Sequence, residues 1–170
     1  IKCYNMSQQK LLFFGDIDLN EVKSEYTSSL QFDDEKITVN LNIFENDSVT
    51  PEMIEKADAF LQKIEDAIRN AYKYLLDDYE SEGETYGYIQ HHIDQLSPEE
   101  MIEILGKHTP DVDQNDDLVA HLKINRIAIF PEDDDEFAVF DFTIGRDYSD
   151  YVIAIYTDIE SKLIDLGIES

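Results

Sequence analysis

Four runs near the C-terminal end decide the fold: Leu122-Lys123-Ile124-Asn125-Arg126-Ile127-Ala128-Ile129-Phe130, Phe137-Ala138-Val139-Phe140-Asp141-Phe142-Thr143-Ile144, Tyr151-Val152-Ile153-Ala154-Ile155-Tyr156-Thr157 and Lys162-Leu163-Ile164-Asp165-Leu166-Gly167-Ile168. Each is rich in β-branched and aromatic residues, and short polar loops separate them, which is the pattern of consecutive strands. Pairing the residues that flank each loop gives an antiparallel meander with consistent faces. One face gathers Ile127, Ile129, Phe140, Phe142, Ile153, Ile155, Ile164, Leu166 and Ile168 and reads as the core face. The other carries Leu122, Ile124, Ala128, Phe130, Val139, Val152, Ala154 and Tyr156, with Arg126 directly opposite Asp141. That second face is too apolar for ordinary exposure, so more of the chain or a partner is expected to cover it.

Upstream, Thr50-Pro51 is an N-cap followed by proline at the first helical position. Ile54, Ala57, Leu61, Ile64, Ile68, Ala71 and Leu75 then recur at steps of three and four, which predicts one long amphipathic helix to about Asp78. A short helix is predicted over Tyr86 to Gln95. Ser97-Pro98-Glu99-Glu100 is a capping box that starts another, ending near Gly106. Further upstream, Tyr26, Ser28, Leu30 and Phe32 alternate with polar residues, as do Ile37, Val39, Leu41 and Ile43. Pairing Phe32 with Ile37 across Asp33-Asp34-Glu35-Lys36 predicts a hairpin, and Leu11 to Leu19 an earlier strand bent at Gly15-Asp16. The predicted class is α+β: an antiparallel sheet, made of this N-terminal hairpin and the C-terminal four-stranded meander, is packed on one face by a long helix and one or two shorter ones. A single domain over residues 1–170 is expected, with a strand block to 44, a helical block at 50–107 and the meander at 118–169.

Charge narrows the function. The chain holds 39 Asp and Glu against 13 Lys and Arg, a formal net charge of −26, and the excess is spread over both halves. Such a field repels nucleic acid and anionic membranes, because binding phosphate requires cations that displace counterions. It favours basic proteins, cations or divalent metal ions. Cys3 is the only cysteine, so an intrachain disulfide is excluded and a reducing compartment is expected. No apolar run approaches the ~20 residues that span a bilayer, and Ile1 to Met6 has no signal-type apolar region, so the expected location is cytoplasmic.

Catalytic and metal motifs do not emerge. Asp111-Val112-Asp113-Gln114-Asn115 opens like a calcium-binding EF-hand loop, but Asp116 stands where the turn needs glycine and Leu122 where a bidentate glutamate belongs. Asp16-Ile17-Asp18-Leu19-Asn20 fails in the same way at Glu21 and Thr27. His91 and His92 are adjacent, so on a helix their rings diverge, and His108 and His121 have no ligand spacing. No nucleophile elbow, phosphate loop or dinucleotide turn is present, and no cofactor or metal is expected. The tyrosines Tyr72, Tyr74, Tyr79, Tyr86 and Tyr88 read as aromatic packing. Two groups stand out as partner or pocket residues. Arg126 and Asp141 form a cross-strand ion pair that fixes register or anchors a ligand. Arg146, Asp147, Tyr148 and Asp150 form a loop rich in the residue types of interface hot spots.

Ile127-Ala128-Ile129-Phe130-Pro131, Phe140-Asp141-Phe142-Thr143-Ile144-Gly145, Asp150-Tyr151 and Glu169-Ser170, with Gly15-Asp16-Ile17 and Tyr88-Ile89 in the same order, resemble a bacterial family of acidic cytoplasmic domains of unknown function. The resemblance implies a β-αα-β order and supplies no active-site residues. The expected function is a non-catalytic acidic protein-binding or regulatory domain, in one version an immunity protein that blocks a basic toxin such as a nuclease. The alternative is a small-ligand receptor or enzyme with a pocket on the Arg126/Asp141 face. A third reading is a homodimer that buries the same face.

Overall fold

The computed structural model describes residues 7–106 and 114–170. A small hairpin comes first, β1 (Gln8–Leu11) and β2 (Gly15–Asp18). A six-stranded sheet follows in the order β3-β4-β5-β6-β7-β8, with β3 at Glu25–Phe32, β4 at Glu35–Asn42, β5 at Lys123–Ile129, β6 at Ala138–Thr143, β7 at Val152–Thr157 and β8 at Leu163–Glu169. The α+β class, the N-terminal hairpin and the C-terminal antiparallel strands are as predicted. The hairpin and the meander join edge to edge, and that seam is parallel, with Val39 opposite Ile127 and Leu41 opposite Ile129. A parallel pair needs a long crossover, which the helical segment between β4 and β5 supplies.

Register in the first hairpin differs from expectation by two residues. Phe32 pairs with Glu35 and Leu30 with Ile37, so the loop is only Asp33-Asp34, with Asp33 at φ 49°. The faces are unchanged, because a slip of two preserves side-chain parity. The tight two-residue turn is the preferred hairpin connection, and aspartate tolerates positive φ better than most residues.

The predicted long helix is two helices, α1 (Pro51–Gln62) and α2 (Ile64–Glu80), broken at Lys63 with φ −111° and ψ 19°. Thr50 caps α1 by accepting from the Met53 N–H at 3.3 Å. Every apolar position of the predicted stripe, from Ile54 to Leu75, is buried. Helix α3 spans Glu84–Gln95, and α4 (Pro98–Leu105) carries the predicted capping box, Ser97 with Glu100, and ends at Gly106 with φ 67°. The left-handed C-cap favours glycine because it lacks the Cβ that crowds there. A further helix, α5 (Gln114–Ala120), occupies what read as an acidic stretch.

These helices cover one face of the sheet. Ile127, Ile129, Phe140, Phe142, Ile153 and Ile155 are fully buried there. Tyr72 of α2 meets Phe142 edge-on with ring centroids 4.9 Å apart, and Phe60 of α1 packs on Phe137 at 5.1 Å. Burial of one such aromatic stabilises by about 1.5–3 kcal/mol.

Four expected face positions are corrected. Ile124 pairs with Phe142 on the core face, because a bulge at Asn125 shifts the register between Ile124 and Arg126. One extra residue reverses parity, so Ile124 and Leu122 both join the core and leave the second face. On β8, Ile164 and Ile168 were expected in the core but are 47% and 39% exposed. β8 is the edge strand of the described sheet, so Ile168 has a neighbour on one side only, and Ile164 is the unpaired residue of a register shift between Asp165 and Leu163.

Candidate functional site

The second face of the sheet has no helix over it among the described residues. Its apolar strip, Ala128, Val139 and Ala154 with Phe130 and Tyr156 beside them, packs only on itself. The long side chains of the face supply what cover there is. Arg126 stands opposite Asp141 as the sequence predicts, and its Nε donates to Asp141 Oδ2 at 2.7 Å. Asp141 is buried, while Arg126 remains half in solvent. Burial raises the Asp141 pKa, and the Arg126 charge and hydrogen bond oppose that rise. Its second oxygen, Oδ1, is buried without a hydrogen-bond partner.

Beside this pair lies a recess of about 170 Å³, walled by Phe44, Phe130, Val139 and Ala128 and rimmed by Asp133, Glu136 and Glu169, with Arg126 and Tyr156 completing it. The wall is positioned by a carboxylate staple. Glu132, in the β5–β6 loop, accepts from the Phe44 N–H at 2.6 Å, the Glu45 N–H at 3.0 Å and Ser48 Oγ at 3.0 Å. This fixes the segment after β4 so that Phe44 stacks on Phe130, with centroids 5.5 Å apart and planes 10° from parallel. Phe44 is nevertheless 70% exposed. Tyr156 donates its hydroxyl hydrogen bond to Glu169 across the β7–β8 pair. Burial and the Glu169 carboxylate together push the Tyr156 pKa up.

Reading strands alone identified Arg126 and Asp141 but missed Phe44, Glu132, Glu136 and Glu169. Phe44 and Glu132 meet across 88 residues of sequence, and no local signal links them.

Arg146, Asp147, Tyr148 and Asp150 lie elsewhere, in the loop between β6 and β7, and none of them lines the recess. Tyr148 donates to Glu103 Oε2 of α4 at 3.2 Å, and Arg146 Nη1 donates to the Asp150 carbonyl at 2.9 Å. The loop is held to α3 by His92 and Tyr88. His92 Nδ1 faces the Tyr88 carbonyl at 2.7 Å, one helical turn back, which fixes the proton on Nδ1 and makes Nε2 the acceptor for Ser149 Oγ at 2.7 Å. Burial lowers the His92 pKa, partly opposed by the Tyr88 carbonyl. Such a Ser–His contact also occurs between a nucleophile and its base. Here the Ser149 oxygen accepts the Tyr151 N–H at 3.0 Å as well, and the pair pins the loop to the helix.

The remaining candidates are dispersed. His91 stacks edge-on against Tyr151, with centroids 5.9 Å apart, and does not share a ligand position with His92. Asp16 and Asp18 sit in strand β2, and Asn115, Asp116 and Asp117 in helix α5, so neither stretch forms a calcium-type loop. Cys3, His108 and Asp111 to Asp113 lie outside the described residues. Among the described residues, no group of three or more His, Cys, Asp or Glu side chains is arranged to hold a metal ion, and no helix is long and apolar enough to cross a membrane. The tyrosines of the helical block pack as expected. Tyr72 lies on Phe142, Tyr79 meets Tyr86 at 5.7 Å, and Tyr74 donates to the Ser161 carbonyl at 3.1 Å.

The family model of a domain of unknown function, DUF6985, matches residues 13–146, from the first turn through β6 and the Arg126–Asp141 pair. That match spans most of the chain, which therefore belongs to this family. No curated protein and no solved structure matches it.

Proposed function

We propose that this member of the DUF6985 family is a non-catalytic binding domain of the bacterial cytoplasm, and that it presents the Arg126/Asp141 face to a basic protein. One observation carries the reading: on the sheet face opposite the helices, the 70% exposed Phe44 and the half-buried Phe130 wall a recess over a small apolar strip, rimmed by Asp133, Glu136 and Glu169. An exposed apolar patch with a polar rim marks a contact surface. The recess, about 170 Å³, is smaller than the roughly 300–1,000 Å³ of small-molecule pockets. It suits one inserted side chain. A lysine or arginine fits its chemistry, with the stem on Phe44 and Phe130 and the charge among the rim carboxylates.

The whole-chain charge of −26 supports the same partner. It attracts a basic protein from a distance and repels nucleic acid. In its most specific form, the domain is an immunity-type inhibitor that places carboxylates over the cations with which a basic toxin, for instance a nuclease, grips phosphate. Self-association through this face is disfavoured, since it would oppose two acidic rims.

The test is chemical crosslinking in lysate of the source cell, then stopped-flow association with the purified partner at two salt concentrations. A basic partner is expected, with an on-rate that falls steeply as the Debye length shrinks toward about 8 Å. Phe44→Ala combined with Glu136→Gln should speed dissociation. A neutral or acidic partner with a salt-independent on-rate would overturn the proposal.

A further inference from the structure

The edge of the sheet at β8 is a second, separate feature. The Leu166 N–H donates to the carboxylate of its own neighbour, Asp165 Oδ1, at 2.9 Å. It therefore points off the sheet, and the two-residue period of a strand places the N–H and C=O of Ile168 at the same edge. Natural edges are usually blunted by lysine, proline or a covering element. β8 reads Leu163-Ile164-Asp165-Leu166-Gly167-Ile168-Glu169, with neither residue type. Among the described residues it is protected by a register shift at Ile164, near the start of the strand, and beyond that by the Asp165 carboxylate, which an incoming carbonyl can displace.

Alongside, α3 leaves a recess of about 410 Å³ between itself and the strand, lined by Gly87, Tyr88, His91, His92, Tyr151 and Ile168. A Cβ at Gly87 would meet nothing within 4 Å, so the helix side of this groove is open. The two faces of β8 differ in chemistry. Leu166 and Ile168 lie on the helix side, opposite Ile155 and Ile153, whereas Asp165 and Glu169 lie on the other, opposite Tyr156 and Val152.

We propose that β8 and the α3 groove form a strand-addition site for an extended segment of a partner protein in which apolar and basic residues alternate. The segment pairs antiparallel with β8. Its apolar side chains continue the row of Leu166 and Ile168 toward the groove, and its lysines or arginines meet Asp165 and Glu169. Main-chain pairing supplies affinity and the alternating side chains supply selectivity. A second copy of this chain is the poorer occupant, because two β8 edges would bring Asp165 and Glu169 of both copies together on chains of net charge −26. The site shares no residue with the Phe44–Phe130 recess apart from Glu169 at the rim, so either can fail without the other.

The probe is a short peptide alternating lysine and valine, titrated while amide hydrogen exchange is followed by NMR. Exchange at Leu166 and Ile168 should slow by roughly tenfold or more at saturation. A block peptide, lysines first and valines after, should leave it unchanged. In antiparallel pairing the valine N–H groups point at β8 and the lysine N–H groups away. N-methylation of the valines should therefore abolish binding, and N-methylation of the lysines should be tolerated. Ile168→Lys, at an exposed position, should keep the wild-type melting curve and weaken binding about tenfold. Phe44→Ala should not affect this peptide. Equal binding of both methylated peptides would overturn the proposal in favour of charge attraction alone. A dimer without peptide, dissociated by Ile168→Lys, would overturn it in favour of a second copy.

Discussion

Arg126 and Asp141 make an unequal pair: the nitrogen–oxygen distance is 2.7 Å, but the aspartate side chain is 2% exposed and the arginine 49%. The carboxylate has lost its hydration and holds one charged donor in return, with Oδ1 left unpartnered. The pair lies on a register row that joins β5 to β6, so one contact sets strand alignment and also exposes a guanidinium beside the recess.

Removing the arginine should leave a buried, unpaired charge. Arg126→Met is expected to cost roughly 2–3 kcal/mol at pH 7, below the 3–5 kcal/mol of a fully buried pair because the arginine is half solvated. The pH dependence has a definite sign. Burial raises the folded-state pKa of Asp141 above its ordinary value, so its contribution to stability is present below the unfolded pKa and is lost as pH rises through the folded one. Without Arg126 the folded pKa rises further. The deficit of the variant should therefore shrink as pH falls, in urea titrations compared at neutral and mildly acidic pH. A deficit that grows in acid would contradict this assignment.

His92 titrates in the opposite sense. Burial lowers its folded-state pKa below 6.5, so the stability it supports is present above the unfolded value and lost as pH falls through the folded one. An NMR titration of the His92 ring should give a midpoint below 6.5, and protonation should reverse the Nε2–Ser149 hydrogen bond, the ring then donating to Ser149 Oγ. The Tyr151 N–H then shares the Ser149 oxygen with the ring, and its amide resonance should shift with the same midpoint. A midpoint at or above the ordinary histidine value would contradict the burial of His92 against Tyr88 and Ser149.

Phe142→Ala should cost about 3–5 kcal/mol, from lost transfer energy and an incompletely collapsed cavity. Phe142 is fully buried and its ring meets Tyr72 edge-on at 4.9 Å. A loss below about 1 kcal/mol in denaturant titration would be incompatible with a core position.

Local pattern made much of this fold legible. The Thr50 and Ser97 caps, the stripe from Ile54 to Leu75 and the β6–β7 faces follow from periods of 3.6 and 2, which neighbouring residues impose on each other. What escaped is non-local or a matter of counting. The parallel β4–β5 seam depends on where the crossover returns, and Ile164 and Ile168 carry a core pattern on the edge strand β8, with a register shift at Ile164. For the candidate site, Arg126 opposite Asp141 was readable because both lie in strands joined by one loop. The Phe44–Phe130 wall and its Glu132 staple were not, since their partners are brought together only by the finished sheet.

Asn125 gives the sharpest test of how counting sets the faces. Ile124 opposes Phe142 and Arg126 opposes Asp141, so β5 spends one residue more than β6 over this interval. Deleting Asn125 leaves Ile124 next to Arg126, and strict alternation then keeps Ile124 opposite Phe142 and Leu122 on the same core face, with β5 paired as before from Arg126 onward. Both are buried in the core cluster. The deletion should therefore spare both core positions and cost less than the roughly 2–5 kcal/mol of removing one buried isoleucine. Ile124→Ala, which empties the position opposite Phe142, should cost that full amount. Comparing the two in urea separates the bulge from the core contact. A deletion as costly as Ile124→Ala would mean that β5 loses its pairing when the extra residue is removed, and that the bulge itself holds Ile124 in the core.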